Sequence, residues 1–125
     1  MIFDTDILIW VQRGNSRAAD LIQGSRERSL SIYSYMELLQ GAKSKQQHRY
    51  TMDFISSLGF LVLPLTETIG HRALIYLEEH ALSHGLRAGD AIIAATAAEN
   101  NMMLVSGNTK HFRPIKELRL KTFKP

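Results

Sequence analysis

Short, largely apolar runs alternate along this chain with longer stretches in which apolar residues recur every third or fourth position. An apolar run of about four residues bounded by polar ones reads as a buried strand rather than a helix. The opening residues before Asp4, Leu30–Tyr33, Phe60–Leu63 and Met102–Val105 are of this kind, and Leu118–Phe123 suggests a further strand at an edge. Helical spacing appears at Ala18, Leu21 and Ile22, with Asn15 or Ser16 as a cap and Gly24 as a stop. Ser34-Tyr-Met-Glu37-Leu-Leu opens a helix that Gly41 interrupts. Another is expected over Gln46–Leu58, with Tyr50, Phe54 and Ile55 facing inward and Gly59 at its end. Ile69, Ala73, Leu77 and Ala81 mark an amphipathic helix from Thr66 to Ser83. His84–Gly89 reads as a loop, after which Asp90 begins a helix over Ala91–Ala98 whose small residues permit close packing.

Strands alternating with helices imply parallel pairing and an α/β fold: a three-layer α/β/α sandwich around a central, mainly parallel sheet of four to five strands. With 125 residues and no repeat, linker or low-complexity tract, residues 1–125 are expected to form a single domain.

Composition narrows the chemistry. A hydrophobic content of 45% and a charged content of 22% suit a globular domain in water. No apolar run approaches the roughly 20 residues that span a bilayer, and the N-terminus shows no basic leader or cleavage-site pattern, so a cytoplasmic location and no membrane partner are expected. The absence of cysteine removes disulfides, thiolate metal sites and a thiol nucleophile. The net charge of +3 is unevenly spread: Lys110, Arg113, Lys116, Arg119, Lys121 and Lys124 face a single acid, Glu117, near the C-terminus. Arg13, Arg17, Arg26, Arg28, Lys43, Lys45 and Arg49 add cations near element ends. Such runs are ordinarily solvated faces; here they would also attract a polyanion.

Polar residues then fall where elements meet. Asp4, Thr5 and Asp6 end the first strand, Glu37 lies in the first turn after the second, Asp90 starts the Ala-rich helix, and Asn108 follows the fourth strand. Right-handed crossovers bring strand ends and the following helix starts to one edge, which is where α/β proteins bind ligands. That rule gathers Asp4, Glu37 and Asn108; Asp90 does not directly follow a strand and is placed there less directly. Each has a structural alternative: an Asx turn or cap at Asp6, a Ser34–Glu37 capping box, a helix cap at Asp90, and a Gly-Asn turn at Asn108. Gathered carboxylates repel one another, and relief comes from a raised pKa or a bound cation. An all-oxygen set without cysteine or clustered histidine suits Mg²⁺, which keeps several waters and can activate one of them against a phosphodiester.

Phe3-Asp4-Thr5-Asp6-Ile7-Leu8-Ile9-Trp10, Ser34-Tyr-Met-Glu37-Leu-Leu-Gln-Gly41, Gly89-Asp90-Ala-Ile-Ile-Ala-Ala-Thr-Ala97 and Val105-Ser-Gly-Asn108-Thr-Lys-His111-Phe112 resemble, in order and spacing, the motifs of PIN-domain proteins, and most closely the VapC-like ribonuclease toxins of bacterial toxin–antitoxin pairs. The resemblance spans essentially the whole chain. It implies a compact α/β/α domain whose acidic pocket binds Mg²⁺ or Mn²⁺ and cuts RNA, transfer RNA being a common target in the family. It also implies a homodimer silenced by a VapB-like antitoxin. By motif position Asp4, Glu37 and Asp90 match the three central carboxylates and the metal-binding set, with Thr5 and Asn108 as supporting polar residues and Asn108 counted in the catalytic group. This chain departs from the pattern twice. His111 stands where a fourth acid is frequent, which leaves one or two metals open and makes His111 a supporting residue. Asp6 stands where asparagine is frequent and is assigned support rather than ligation. Lys110, Arg113 and Arg87 are the RNA-binding candidates. Trp10, Val11 and Met36–Leu39 are candidates for an antitoxin groove, unless they are ordinary core.

Two rivals remain. Ile2-Phe-Asp4-Thr-Asp6 also resembles the nucleophile motif of haloacid-dehalogenase-type phosphatases, with Asp4 as nucleophile, although the late paired acids of that pattern are missing. The other is a PIN-like module that binds RNA or protein without turnover.

Overall fold

The chain runs β1 (Ile2–Phe3), α1 (Thr5–Gln12), α2 (Ser16–Gln23), β2 (Ser29–Ser31), α3 (Ile32–Gly41), α4 (Lys45–Ser57), β3 (Leu61–Leu63), α5 (Glu67–His84), α6 (Ala88–Glu99), β4 (Leu104–Ser106), a 3₁₀ turn (Thr109–His111) and β5 (Leu120–Thr122). The computed structural model describes residues 1–125. All strand pairs are parallel, in the order β3-β2-β1-β4-β5, with Ile2 lying between Ser29 and Leu104.

The period-two geometry of a strand divides the apolar residues between two layers. Ile2 and Leu104 point to one face, where Ile69, Ala73 and Tyr76 of α5, the alanines of α6 and Phe112 cover them. Phe3, Leu30 and Val105 point to the other, packed by Ile7, Leu8, Ala18, Ile22, Leu38 and Ile55. The result is the expected α/β/α sandwich. Ala91, Ala94, Ala95 and Ala97 are fully buried; their small side chains let α5 lie close against α6. Several helix ends are fixed by caps, that of α2 at Asn15 as the sequence suggests. Asn15 accepts a hydrogen bond from the Ala18 amide at 2.9 Å, Thr66 accepts one from Ile69, and Gly85 closes α5 in the left-handed region at φ 68°.

Local departures have local causes. The second strand ends at Ser31 rather than Tyr33, because the Ser31 hydroxyl accepts from the Tyr33 amide at 3.1 Å and starts α3 at Ile32. Ser34 is therefore inside the helix, its hydroxyl buried without a partner, and the Ser34–Glu37 capping box does not form. In α4 the inward stripe is Thr51 and Ile55; Tyr50 is outward-facing, stacked on half-buried Phe54. Helix α6 starts at Ala88, so Asp90 lies in its first turn and does not cap it. No helix is long and apolar enough to cross a membrane.

Candidate active site

Parallel pairing directs the C-terminal ends of β1, β2 and β4 to one edge of the sheet. Asp4 leaves β1 there in an extended conformation and caps α1, its Oδ1 accepting from the Thr5 amide at 2.8 Å. Its Oδ2 accepts from the hydroxyl of Ser106, the buried last residue of β4, at 2.7 Å. Only 8% of Asp4 is exposed. Burial, and then the charge of Asp6, raise its pKa from 3.8 to about 7; the Ser106 and Thr5 bonds oppose this, and Asp90 adds to it. A carboxylate held near half-protonation at neutral pH, with no cation beside it, is the main electrostatic anomaly of the molecule.

Asp6, in the first turn of α1, sends Oδ2 across to accept from the Gly107 amide at 2.9 Å, while its Oδ1 is buried without a hydrogen-bond partner. Burial raises its pKa too. A Cβ on residue 107 would sit 2.7 Å from that Oδ2, so glycine is what lets the strand end approach Asp6. It is Asp4, not Asp6, that caps α1.

The remaining groups arrive from three other elements. The Thr5 hydroxyl donates to Glu37 Oε1 at 2.6 Å, fastening α1 to α3 and bringing the glutamate to the same edge. Asp90 comes from α6, whose start lies against α3: a Cβ on Gly89 would stand 2.6 Å from the Tyr33 ring. His111 Nδ1 is 3.5 Å from Asp90 Oδ2, within ion-pair range yet without a hydrogen bond. Asn108 joins through its backbone, whose N–H donates to the Ser106 hydroxyl at 3.0 Å; its side chain is exposed at the rim and makes no hydrogen bond. Arg87, Lys110 and Arg113 are exposed around this edge and take part in no ion pair. Ser106 was not among the residues singled out from the sequence. Its signal was its position, a hydroxyl ending a buried strand next to Gly107 and Asn108.

The donor set is all oxygen apart from His111. No three acidic or histidine side chains are grouped tightly enough to hold an ion as arranged. Asp4 and Asp90 nonetheless lie within each other's field, and Asp6 keeps an orphaned buried oxygen. These features fit a hard divalent cation that takes few protein ligands and completes its shell with water. Asp4, Asp90 and Glu37 would hold it, lowering the cost of ionising Asp4. A cavity of about 820 Å³ lies elsewhere, and there Arg72, Glu99 and Glu117 neutralise one another. A groove of about 340 Å³ beside Glu37 is lined by Ile9, Gln12, Leu38 and Tyr50, whereas Trp10 and Val11 pack against the core.

Residues 1–118 match the family model for the PIN domain. Over 123 residues the chain is 31% identical to the protein named ribonuclease VapC10 of Mycobacterium tuberculosis, covering 95% of this chain and 90% of that one. A chain in a toxin–antitoxin complex from Klebsiella pneumoniae superposes with a TM-score of 0.81 at 30% identity, covering 97% of this chain and 95% of the other. VapBC-1 from nontypeable Haemophilus influenzae gives a TM-score of 0.79 at 22% identity over 98% of each chain, a likeness of fold.

Proposed function

Because this chain belongs to the PIN-domain family, we propose that it is the endoribonuclease toxin of a toxin–antitoxin pair, hydrolysing RNA phosphodiester bonds at the edge where Asp4, Glu37 and Asp90 meet. The observation that carries this reading is Asp4: a buried carboxylate, pushed to a pKa of about 7, with Asp6 and Asp90 rather than any cation for neighbours. Such an arrangement is costly unless a cation completes it. Mg²⁺, with Mn²⁺ as a substitute, is the ion that suits these oxygens, and when bound it would acidify a water and offset charge on the phosphate.

The protein's own groups supply position and charge. Ser106 and the Thr5 amide fix both oxygens of Asp4, so its lone pairs are aimed before any ligand arrives. Thr5 holds Glu37, and Gly107 holds Asp6, in the same manner. His111 is near enough to Asp90 to orient it or to hold a proton close to a departing oxygen. Arg87, Lys110 and Arg113 offset the repulsion between RNA and the acidic edge. Asn108 contributes from the rim.

The apolar groove beside Glu37 is the surface we assign to a VapB-like antitoxin, because a segment lying over Ile9, Leu38 and Tyr50 would end at a catalytic carboxylate. Exposed Leu74, Ile75 and Leu82 along α5 support a homodimer, and the cytoplasm is where such a nuclease meets its RNA. The phosphatase rival is not favoured: the family match is to a different fold, and Asp6, its acid/base, has Oδ2 tied to Gly107. Cleavage of a mixed small-RNA pool by the purified, antitoxin-free chain, with Mg²⁺, with Mn²⁺, with chelator, and beside Asp90→Asn, tests the reading. Metal-dependent cutting that Asp90→Asn loses is expected. A folded protein that cuts nothing under any of these conditions would turn the assignment to RNA or partner binding without turnover.

A further inference from the structure

The basic C-terminal stretch is less neutralised than its composition suggests. Its one acid, Glu117, is engaged by Arg72 and the Tyr76 hydroxyl, and Arg119 is bonded to the Asn101 carbonyl. Lys110, Arg113, Lys116, Lys121 and Lys124 take part in no ion pair. A groove of about 340 Å³ opens between the 113–118 segment and β5. Thr122 offers a hydroxyl, Ile115 and Leu118 lie buried beneath it, and the charged residues lining it are Arg113 and Lys116, with no carboxylate among them.

The groove adjoins the catalytic edge through the chain on one side and through the sheet on the other. Arg113 follows His111 by two residues, and His111 faces Asp90 at 3.5 Å. Thr122 is paired across the sheet with Ser106, the residue whose hydroxyl holds Asp4; adjacent strands are only about 5 Å apart. Two unpaired cations beside an exposed hydroxyl, next to a site read as acting on phosphodiesters, match the anionic backbone of a nucleic acid.

We propose that this groove is an RNA subsite that holds the backbone of a nucleotide flanking the scissile bond, with Arg113 and Lys116 on its phosphates and the Thr122 hydroxyl beside them. The proposal rests on the nuclease reading for its substrate class, yet it concerns binding and can fail separately.

The test is fluorescence anisotropy with a labelled twelve-nucleotide single-stranded RNA of mixed sequence, in the Asp90→Asn background so that no cutting intervenes. Arg113→Glu/Lys116→Glu is compared with Arg17→Glu/Arg26→Glu, an equal charge change at exposed positions on and after α2, on the opposite face of the sheet. The groove pair should weaken binding at least tenfold in 0.1 M salt, and removal of two phosphate contacts should flatten the plot of log K against log salt by about 1.4. The α2 pair should remain within twofold. Thr122→Glu, an exposed change that leaves the core intact, should weaken binding in the same direction. In the active protein the groove pair should raise KM for RNA and leave kcat unchanged. Equal losses in the two charge-reversed pairs would reduce the groove to general attraction and overturn the proposal. So would an equally strong effect of the groove pair on binding of polyglutamate, which carries charge without phosphates. A wild type that cuts no RNA, combined with selective loss in the groove pair, would sink the nuclease reading and keep the subsite.

Discussion

Helix α6 carries an acid in its first turn and another at its last residue, and the two live under opposite electrostatic rules. At the far end Glu99 and Glu117 share one arginine: Arg72 meets Glu99 at 2.8 Å and Glu117 at 2.6 Å, with the Tyr76 hydroxyl also bonded to Glu117. The Glu117 pKa is lowered, first by Tyr76 and then by Arg72, while burial and then Glu117 push Tyr76 up to about 12. At the near end Asp90 lies in the field of Asp4, and Asp4 in that of Asp6; both neighbouring charges raise the Asp4 pKa. The far cluster fastens α5, α6 and the approach to β5 with charges already satisfied. The near cluster gathers carboxylates with no arginine or lysine paired to them. Placing acids together is therefore no signature of function; leaving them without a counter-charge is.

Breaking each end should have opposite consequences. Asp90→Asn is expected to lower RNA cleavage on the order of a hundred- to a thousandfold, because a held metal ion is worth several kcal/mol to such a reaction. The thermal midpoint of the chelated protein should be unchanged or higher, since a repulsion has been removed. Glu99→Gln should do the reverse, lowering the midpoint and sparing cleavage. Unfolding by Asp90→Asn would make that residue structural.

The pH dependence of the chelated protein separates the ends again. The folded pKa of Asp4 is raised above its ordinary 3.8, so its burial costs nothing below that value and the cost grows as pH climbs to about 7. Across this window the metal-free protein should lose stability, by at most roughly 4 kcal/mol from this group. Denaturant titrations at pH 4 to 8 should show the decline, and added Mg²⁺ should flatten it. Asp4→Asn should flatten it without metal. Glu117 carries the opposite sign: its contribution is present above its ordinary 4.5 and fades as pH falls below.

Parallel pairing, both layers and the limits of α2, α4 and α5 were legible because they follow from periodicity and caps that act within a few residues; the strand order and helix α1 were not. Ala18–Ile22 and Ile69–Ala81 show the period, and Asn15, Thr66 and Gly85 hold the ends. Where two local signals competed, the sequence alone was ambiguous. Ile32 and Tyr33 are good strand residues, yet Ser31 turns the backbone into α3 before them. Tyr50 and Thr51 are equally plausible inward positions on α4, and only the packing around Ile55 selects Thr51. At the edge, crossover handedness announced Asp4 and Glu37, but Ser106 and the Asp6–Gly107 bond join positions about a hundred residues apart, which no local pattern encodes.

That long-range bond gives a sharper, smaller test. Gly107→Ala would set a Cβ 2.7 Å from Asp6 Oδ2 and force the carboxylate off the Gly107 amide. Loss of one charge-assisted hydrogen bond should cost roughly 1.5–3 kcal/mol at most, and less if Asp6 finds water. Cleavage should fall about tenfold through misplacement of α1 and Asp4. Combining it with Asp6→Asn discriminates the cause: if the clash acts through the carboxylate's position, the double variant should lose less than the sum of the two single losses.

The smallest effect should come from the satisfied cluster. Glu117→Gln keeps the shape and removes one charge from Arg72, whose side chain is 33% exposed, as Glu117's is 52% exposed. Water screens such a pair, and Arg72 retains Glu99, so the expected loss is about 1 kcal/mol or less. That corresponds to a fall of a few degrees in the melting temperature of a chain this size, with kcat and KM for RNA unchanged. Raising salt to 1 M should shrink the difference between wild type and variant, because exposed pairs are screened. At the near end, added salt should instead relieve repulsion and raise the stability of the chelated wild type relative to Asp4→Asn. One reagent would thus move the two ends of α6 in opposite directions, which two structural ion clusters could not do.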